Sequence, residues 1–144
     1  MILFVDFDGV AHAKDCDREQ HFCKLPLLES LLREPGCGHA DVVVSSTWRH
    51  AHSLHRLRQF FSADIRPRIV GVTPFLEEGE FLRYREFIAG VRRYRAGTKW
   101  VAVDDDRAQF PRHVWHRVVM PDSAVGLTPH EINALRALIA RATK

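Results

Sequence analysis

Two carboxylates, Asp6 and Asp8, follow a short apolar segment at the start of the chain. Because alternate side chains of a β-strand point to the same face, the two carboxylates project together if Ile2–Val5 is a strand. Two like charges held this close require a cation or a shared proton. Gly9 follows where the chain must leave the strand sharply. The segment therefore fits either a metal site with a reactive carboxylate or a strand-ending Asx turn.

Two other polar clusters also follow apolar runs. Ser45 and Ser46 come after a run of valines, and Asp104 and Asp105 come after the run Val-Ala-Val. In a parallel sheet the carboxyl ends of the strands lie along one edge, where ligands bind. We therefore expect the three clusters to converge on one site.

The chemistry that these groups favour is phosphoryl transfer through a carboxylate. The aspartates offer hard oxygen ligands for Mg²⁺, which would neutralise them and draw on a phosphate oxygen. We expect Ser45 and Ser46 to donate to phosphate oxygens, helped by the positive end of a following helix. A cation is also required for charge on the transferred group, and Arg83 or Arg85 is expected to supply it.

Short β-branched runs alternate with segments of helical period, which predicts an α/β fold with a parallel sheet. The predicted strands are Ile2–Val5, Asp41–Val44, Arg68–Val72, Trp100–Val103 and Arg117–Val119. The predicted helices run from Leu25 to about Leu32, onward from a cap at Thr47, from Glu80 to Tyr94, and from Pro129 to about Ala142. The last helix has a capping-box pattern, with Thr128 as cap and Glu131 at its third position.

Length and composition indicate one ordinary globular domain over residues 1–144, with 46% hydrophobic and 27% charged residues. No apolar segment approaches the roughly twenty residues of a membrane span, so we expect a cytoplasmic protein without membrane contact. The three cysteines form no C-x-x-C pair, which favours reduced thiols over a disulfide framework or a zinc site. The net charge is +3, and the basic residues cluster in two segments. These clusters are either surfaces for anionic partners or the solvated faces of helices.

The motifs resemble those of haloacid dehalogenase (HAD) superfamily hydrolases over nearly the whole chain. The run Asp6-Phe7-Asp8-Gly9-Val10 resembles the first motif, Ser45 the second, and Asp104-Asp105 the fourth. The resemblance implies a Rossmann-like three-layer α/β/α sandwich with a central five-stranded parallel sheet. It also implies a phosphatase in which Asp6 becomes phosphorylated and Asp8 acts first as general acid and then as base.

The same resemblance implies how Mg²⁺ is held. The metal ligands would be the Asp6 side chain, the Asp8 backbone carbonyl and Asp104, with Asp105 near or in the shell. We expect Ser45 and Arg83 to act with the carboxylates in catalysis. The expected substrate-binding residues are Gly9, Ser46, Arg49 and Arg85.

A narrower resemblance joins Val43–Arg49, Val70–Pro74 and Trp100–Asp105 to compact hydrolase-like proteins, including domains attached to RNA-repair proteins. The third motif of the superfamily usually supplies a lysine, and the chain has no obvious counterpart. An arginine must therefore supply this cation, and Arg83 fits the spacing better than Arg85. No segment is long enough for a large cap domain. An open site implies a macromolecular substrate, such as a phosphorylated protein or a nucleic-acid end, or closure by a partner subunit.

Three other side chains near the motifs attract attention. His12 lies in a polar loop just past the first motif, where its imidazole either touches a substrate or is simply exposed, and we expect the exposed imidazole. Trp48 and Arg49 follow the serines and either clamp a ring of the substrate or, in the case of Trp48, fill space beneath the sheet edge. The spacing of His50, His52 and His55 does not favour zinc.

Two other functions compete with the phosphatase. A non-catalytic HAD-like module would bind phosphate or nucleic acid without turnover, although such a module gains nothing evident from a costly carboxylate pair. A phospho-accepting receiver domain also places acids around Mg²⁺, but its adjacent aspartates would follow the first strand. Here the adjacent pair follows the fourth predicted strand, and no lysine ends the last one.

Overall fold

Five parallel strands form one sheet at the centre of the computed structural model, which describes Met1 to Lys144. The strands are β1 (Ile2–Val5), β2 (Asp41–Val44), β3 (Ile69–Val72), β4 (Trp100–Val103) and β5 (Val118–Val119). Their order is β3-β2-β1-β4-β5, which confirms the predicted parallel sheet. β3 and β5 begin one residue later than predicted because Arg68 and Arg117 end the 3₁₀ helices that precede them.

Strand register brings the polar residues to one edge of the sheet. Val5 at the end of β1 pairs with the last residue of β2 on one side and the last residue of β4 on the other. The residues that follow these strand ends, Asp6, Ser45 and Asp104, therefore stand side by side. Backbone hydrogen bonds continue past the strands, since Ser45 N–H donates to Val5 O at 2.9 Å and Asp6 N–H donates to Val103 O at 3.1 Å.

Helices cover both faces of the sheet, so the fold is the predicted Rossmann-like three-layer α/β/α sandwich. The helices are α1 (Leu25–Leu32), α2 (Leu54–Gln59), α3 (Leu82–Arg95) and α4 (Pro129–Ala142). The larger apolar cluster joins Leu3 and Val5 to α1, α2 and α4, and the smaller one joins Ile2 and Phe4 to α3. On the α3 side, Phe4 stacks on Phe87 with ring centroids 4.1 Å apart.

Two helix starts differ from the prediction. Thr47 does not cap α2, because residues Thr47–His50 form a separate 3₁₀ helix and Ser53 caps α2 by accepting the Arg56 N–H. α3 begins at Leu82 because Phe81 has a left-handed backbone with φ of 52°. The predicted start of α4 is confirmed.

Two connections at the polar edge of the sheet contain no inserted domain. Residues 6–24 join β1 to α1, and residues 73–81 join β3 to α3, with no other α-helix or multi-residue strand in either segment. The fold therefore carries no large cap domain, as expected. No helix combines the length and apolar character that crossing a membrane requires.

Candidate active site

A polar cavity of about 400 Å³ opens at the carboxyl edge of β1 and β4. Side-chain oxygens of Asp6, Asp104 and Asp105 lie within 4.8 Å of one another beside it. The cavity has no hydrophobic lining residue, and its walls are Asp6, Asp8, Lys14, Thr47, Arg83, Asp105, Asp106 and Ser123. The register of the sheet therefore produces a pocket of concentrated negative charge.

Burial makes ionisation of two of these carboxylates costly. Burial raises the pKa of Asp104 to about 6, although Arg83 acts in the opposite direction. Burial, followed by the charge of Asp104, raises the pKa of Asp6 well above its ordinary value. In proteins such groups are commonly found where a metal or a reaction uses the charge.

Arg83 is the cation that lies between the buried carboxylates. Its Nη1 donates to Asp104 Oδ2 at 2.5 Å and lies 3.5 Å from Asp6 Oδ2. Burial lowers the pKa of the Arg83 guanidinium, but the charges of Asp104 and Asp6 outweigh burial and raise it overall. Arg83 thus offsets part of the negative charge and holds both carboxylates in place.

The donor set fits a magnesium ion. Asp6, Asp104 and Asp105 offer only hard oxygen atoms, which Mg²⁺ prefers over nitrogen or sulfur. One guanidinium also leaves the carboxylate cluster with excess negative charge, which a divalent cation would neutralise. These side chains are the ones that would hold the ion.

Asp8 stands apart from the buried carboxylates, with 43% of its side chain exposed. Its Oδ1 lies 2.8 Å from His12 Nε2, and its Oδ2 accepts the Trp48 indole N–H at 3.1 Å. The expectation of an exposed His12 is wrong, because the residue is only 1% exposed. Aromatic rings of Phe22 and His21 pack against the His12 imidazole and exclude water from it.

Gly9 allows Asp105 to approach the loop after β1. Gly9 has φ of 77°, and a Cβ at this position would lie 2.2 Å from Asp105 Oδ2. Such a contact is far too short for any side chain. Gly9 therefore shapes the carboxylate cluster through its lack of a side chain.

The two serines after β2 have different surroundings. Ser45 is fully buried, and its Oγ has no hydrogen-bond partner. Ser46 is also fully buried, but its Oγ accepts the Trp48 N–H at 3.2 Å. This bond caps the 3₁₀ helix but leaves the Ser46 hydroxyl its own proton to donate, so a contact between Ser46 and a phosphate oxygen stays a prediction. No α-helix starts at the serines, because the 3₁₀ helix and its following turn precede α2.

Comparison with protein families identifies the domain. Residues 2–132 match the family model described as the HAD domain in Swiss Army Knife RNA repair proteins. The chain belongs to this family. Both resemblances, to HAD-like hydrolases and to domains of RNA-repair proteins, are thereby confirmed. Searches of curated proteins and of solved structures return no significant match.

Arg49 does not line the polar cavity of this HAD domain. Its guanidinium is buried and donates to Glu86 Oε2 and to the backbone carbonyls of Thr73, Ser45 and Ser46. These contacts occupy Nε and both terminal nitrogens. The expectation that Arg49 clamps the substrate is wrong, because the side chain joins the ends of β2 and β3 instead.

Arg85 also lies away from the carboxylates. Its Nε donates to Glu80 O at 2.9 Å and its Nη2 to Glu77 O at 3.0 Å. It closes the loop before α3 and does not line the cavity of the HAD domain, so contact between Arg85 and a substrate stays a prediction. Of the two candidate arginines, Arg83 is the one that reaches Asp6 and Asp104.

Several residues of the cavity did not emerge from sequence reasoning. Lys14 and Ser123 meet at its rim, where Lys14 N–H donates to Ser123 O at 2.8 Å. Lys14 forms no ion pair, and its position in the polar loop after the first motif could have indicated that it lines the cavity. Nothing in the sequence around Ser123 indicated that this residue lines it. Asp106 caps the next 3₁₀ helix by accepting the Ala108 N–H.

Proposed function

We propose that the protein is a Mg²⁺-dependent phosphomonoester hydrolase that works through a phosphorylated Asp6. The observation that carries the proposal is the pairing of a buried Asp6 with a half-exposed Asp8 at the same polar cavity. The Asp6 carboxylate is held beside Arg83 and Asp104, whereas the Asp8 carboxylate is exposed enough to exchange protons with a ligand. Membership in a HAD-domain family supports the same chemistry.

Asp6 and Asp8 divide the reaction into two displacements. An oxygen of Asp6 attacks phosphorus, the bond to the leaving oxygen breaks, and Asp8 gives that oxygen a proton. Asp8 then removes a proton from water, whose oxygen attacks the phosphorus of the phosphorylated Asp6. The P–O bond to Asp6 breaks, which releases inorganic phosphate and regenerates the carboxylate.

Other side chains of the site bind and orient the phosphoryl group. Arg83 places positive charge beside Asp6, and the unpartnered Ser45 hydroxyl is a donor available to a phosphate oxygen. Lys14 adds a cation at the rim. Bound Mg²⁺, held by Asp6, Asp104 and Asp105, supplies charge neutralisation that lets an anionic nucleophile approach an anionic substrate.

We propose the phosphorylated end of an RNA as the substrate class. The family description names RNA repair, and connections without an inserted domain leave the cavity accessible to a long chain. Exposed Glu77, Glu78 and Glu80 would repel a polyanion on the β3 side of the cavity. Lys14 on the opposite side favours the approach of further phosphates from there.

The central experiment measures release of inorganic phosphate from p-nitrophenyl phosphate with Mg²⁺ and with a chelator. We expect turnover that requires the metal and falls by at least about 1,000-fold in Asp6→Asn. Asp64→Asn is the matched control, because Asp64 forms an exposed ion pair with Arg33 remote from the cavity. The proposal is contradicted if the metal-loaded wild type hydrolyses neither p-nitrophenyl phosphate nor any phosphorylated RNA, DNA, nucleotide, sugar or peptide.

A substrate panel then tests the RNA assignment. It compares 5′- and 3′-phosphorylated RNA oligonucleotides with matching DNA, nucleoside monophosphates, sugar phosphates and phosphopeptides. We expect the highest kcat/KM on one of the RNA ends, and a higher value on a sugar phosphate or a phosphopeptide contradicts it. If RNA binding is salt-dependent, survives Asp6→Asn and occurs without turnover, the chain is instead a non-catalytic binding module.

A further inference from the structure

The imidazole of His12 is enclosed by hydrogen bonds at both ring nitrogens. Its Nδ1 accepts the Phe22 backbone N–H at 3.1 Å, and its Nε2 lies 2.8 Å from Asp8 Oδ1. A nitrogen that accepts an amide N–H carries no proton of its own. The ring proton therefore lies on Nε2, and His12 donates it to Asp8.

The backbone around His12 is built to maintain this arrangement. Phe22, which supplies the fixed N–H, has a left-handed backbone with φ of 63°, which is uncommon for a bulky residue. The His12 ring also stacks on His21, with ring centroids 4.7 Å apart, and meets Phe22 edge-on at 5.2 Å. Ring rotation would break the amide contact and the packing together.

A second donor approaches the other oxygen of Asp8. The indole N–H of Trp48 reaches Asp8 Oδ2 at 3.1 Å, and Phe7, Phe22 and Phe60 pack around the indole. Two donors on rigid rings thus hold one carboxyl group at the rim of the polar cavity. Each carboxyl oxygen still has a second lone pair for a ligand or a proton.

We infer that His12 is a positioning residue that sets the orientation of Asp8 for proton transfer to the leaving oxygen, with Trp48 as its partner. This inference rests on the proposed phosphatase function and assigns His12 a role within it. General acid catalysis depends strongly on geometry, so a carboxyl group that can rotate loses much of its effect. His12 itself does not touch the substrate.

A metal site at the same histidine is the competing interpretation. Ligand atoms of His12, Cys16 and His21 lie within 4.8 Å of one another, a set that zinc would accept. However, both ring nitrogens of His12 are already engaged, by Phe22 and by Asp8. The stacked His12 and His21 rings are also only 27° from parallel, so their in-plane lone pairs do not converge well.

The kinetic test compares two substrates of similar shape that differ in their need for an acid. Phenyl phosphate releases a basic phenoxide that requires protonation, whereas p-nitrophenyl phosphate releases a stable anion that does not. The ratio kcat/KM reports the first displacement, in which Asp8 acts as acid. We expect His12→Ala and His12→Asn to lower kcat/KM by about 10- to 100-fold for phenyl phosphate and by less than about threefold for p-nitrophenyl phosphate.

Matched variants separate positioning from a loss of folding. His12→Gln brings an amide N–H close to the position of Nε2, whereas Asn is too short to reach Asp8. We therefore expect His12→Gln to restore the wild-type ratio of kcat/KM for phenyl phosphate to kcat/KM for p-nitrophenyl phosphate. Trp48→Phe keeps an aromatic ring in the cluster but removes the N–H donor to Asp8. Like His12→Ala, it should lower kcat/KM for phenyl phosphate relative to kcat/KM for p-nitrophenyl phosphate. In an Asp8→Asn background, His12→Ala should add no further loss on phenyl phosphate. Equal losses on both substrates, or no loss, overturn the inference.

A spectroscopic measurement tests the arrangement without turnover. We expect the ¹⁵N spectrum of histidine-labelled protein to show His12 protonated at Nε2 and bare at Nδ1, with the signal assigned by its absence in His12→Gln. A proton on Nδ1, or a signal unaffected by Asp8→Ala, overturns the inference. If the wild type has this signal but hydrolyses no phosphomonoester, the phosphatase proposal fails and the positioning role of His12 in catalysis fails with it. If the wild type turns over substrate but the His12 variants lose activity equally on both substrates, the role of His12 is refuted and the phosphatase proposal stands.

Discussion

The Arg49 guanidinium donates from Nη2 to Glu86 Oε2 across 2.5 Å, and the two side chains are only 2% and 5% exposed. The same guanidinium donates to the carbonyls of Ser45, Ser46 and Thr73. One buried ion pair therefore connects α3 to the ends of β2 and β3. Burial lowers the pKa of Arg49, and the charge of Glu86 opposes that shift.

Breaking this pair should destabilise the fold strongly. Glu86→Gln leaves the Arg49 charge buried without a counter-charge, and we expect the free energy of unfolding to fall by about 3 kcal/mol. The control is Asp64→Asn, which breaks a solvent-exposed pair with Arg33 and should lower the free energy of unfolding far less. Urea denaturation measures both. Similar losses in the two variants contradict the structural role assigned to Arg49.

Arg83 and Arg85 should differ sharply in activity although both lie in the first turn of α3. Arg83→Ala removes the cation beside Asp6 and Asp104, and we expect kcat/KM for p-nitrophenyl phosphate to fall by about 100-fold or more. Arg85→Ala removes contacts to two loop carbonyls and should stay within about threefold of the wild type. A larger loss in Arg85→Ala contradicts the assignment.

The polar residues at the carboxyl edge of the sheet could be predicted because their position depends on the local pattern of apolar strand segments. Each apolar run is short and uniform, which is typical of buried parallel strands, and the polar residue after each run then falls at a known edge. Asp6, Ser45 and Asp104 needed no more information than that. The β1 register, with both neighbours aligned at Val5, explains why three separate motifs meet.

Side-chain orientation beyond the edge could not be predicted in the same way. Residues two apart on a helix point in different directions, so choosing between Arg83 and Arg85 requires knowing where α3 begins. That start depends on the left-handed Phe81. The prediction for His12 fails because the segment 10–24 as a whole is rich in polar residues, whereas the burial of His12 comes from Phe22 and Trp48. Such contacts form only when distant segments fold together.

A methyl group at Gly9 should damage the metal site more than the fold. Gly9→Ala would place its Cβ within 2.2 Å of Asp105 Oδ2 and displace that carboxylate. Gly97→Ala is the matched control, because Gly97 has φ of 79° and open space around it. Both variants pay the backbone cost of about 1–2 kcal/mol for a left-handed alanine. We expect only Gly9→Ala to weaken Mg²⁺ binding, by about tenfold or more in calorimetric titration. Equal affinities in the two variants contradict a ligand role for Asp105.

The metal-free protein should lose stability as the pH rises from about 4 to about 6. Burial raises the pKa of Asp104 from 3.8 to about 6 in the folded state, so in this window the folded protein holds a proton that the unfolded chain has released. Unfolding then releases protons, and the free energy of unfolding falls as the pH rises. At neutral pH the ionised carboxylate costs on the order of 2 to 3 kcal/mol.

Asp104→Asn removes this titration, together with the part of the raised Asp6 pKa that the Asp104 charge causes, because the amide keeps the shape of the side chain and does not titrate. We expect the variant to have a flatter stability profile between pH 4 and about 6 and to exceed the metal-free wild type in stability at pH 7. Mg²⁺ should stabilise the wild type more at pH 7 than at pH 5, because protons compete for the same oxygens. It should stabilise Asp104→Asn much less. Urea denaturation across this pH range, with and without Mg²⁺, measures these effects. A profile unchanged by the substitution contradicts a buried, titrating Asp104.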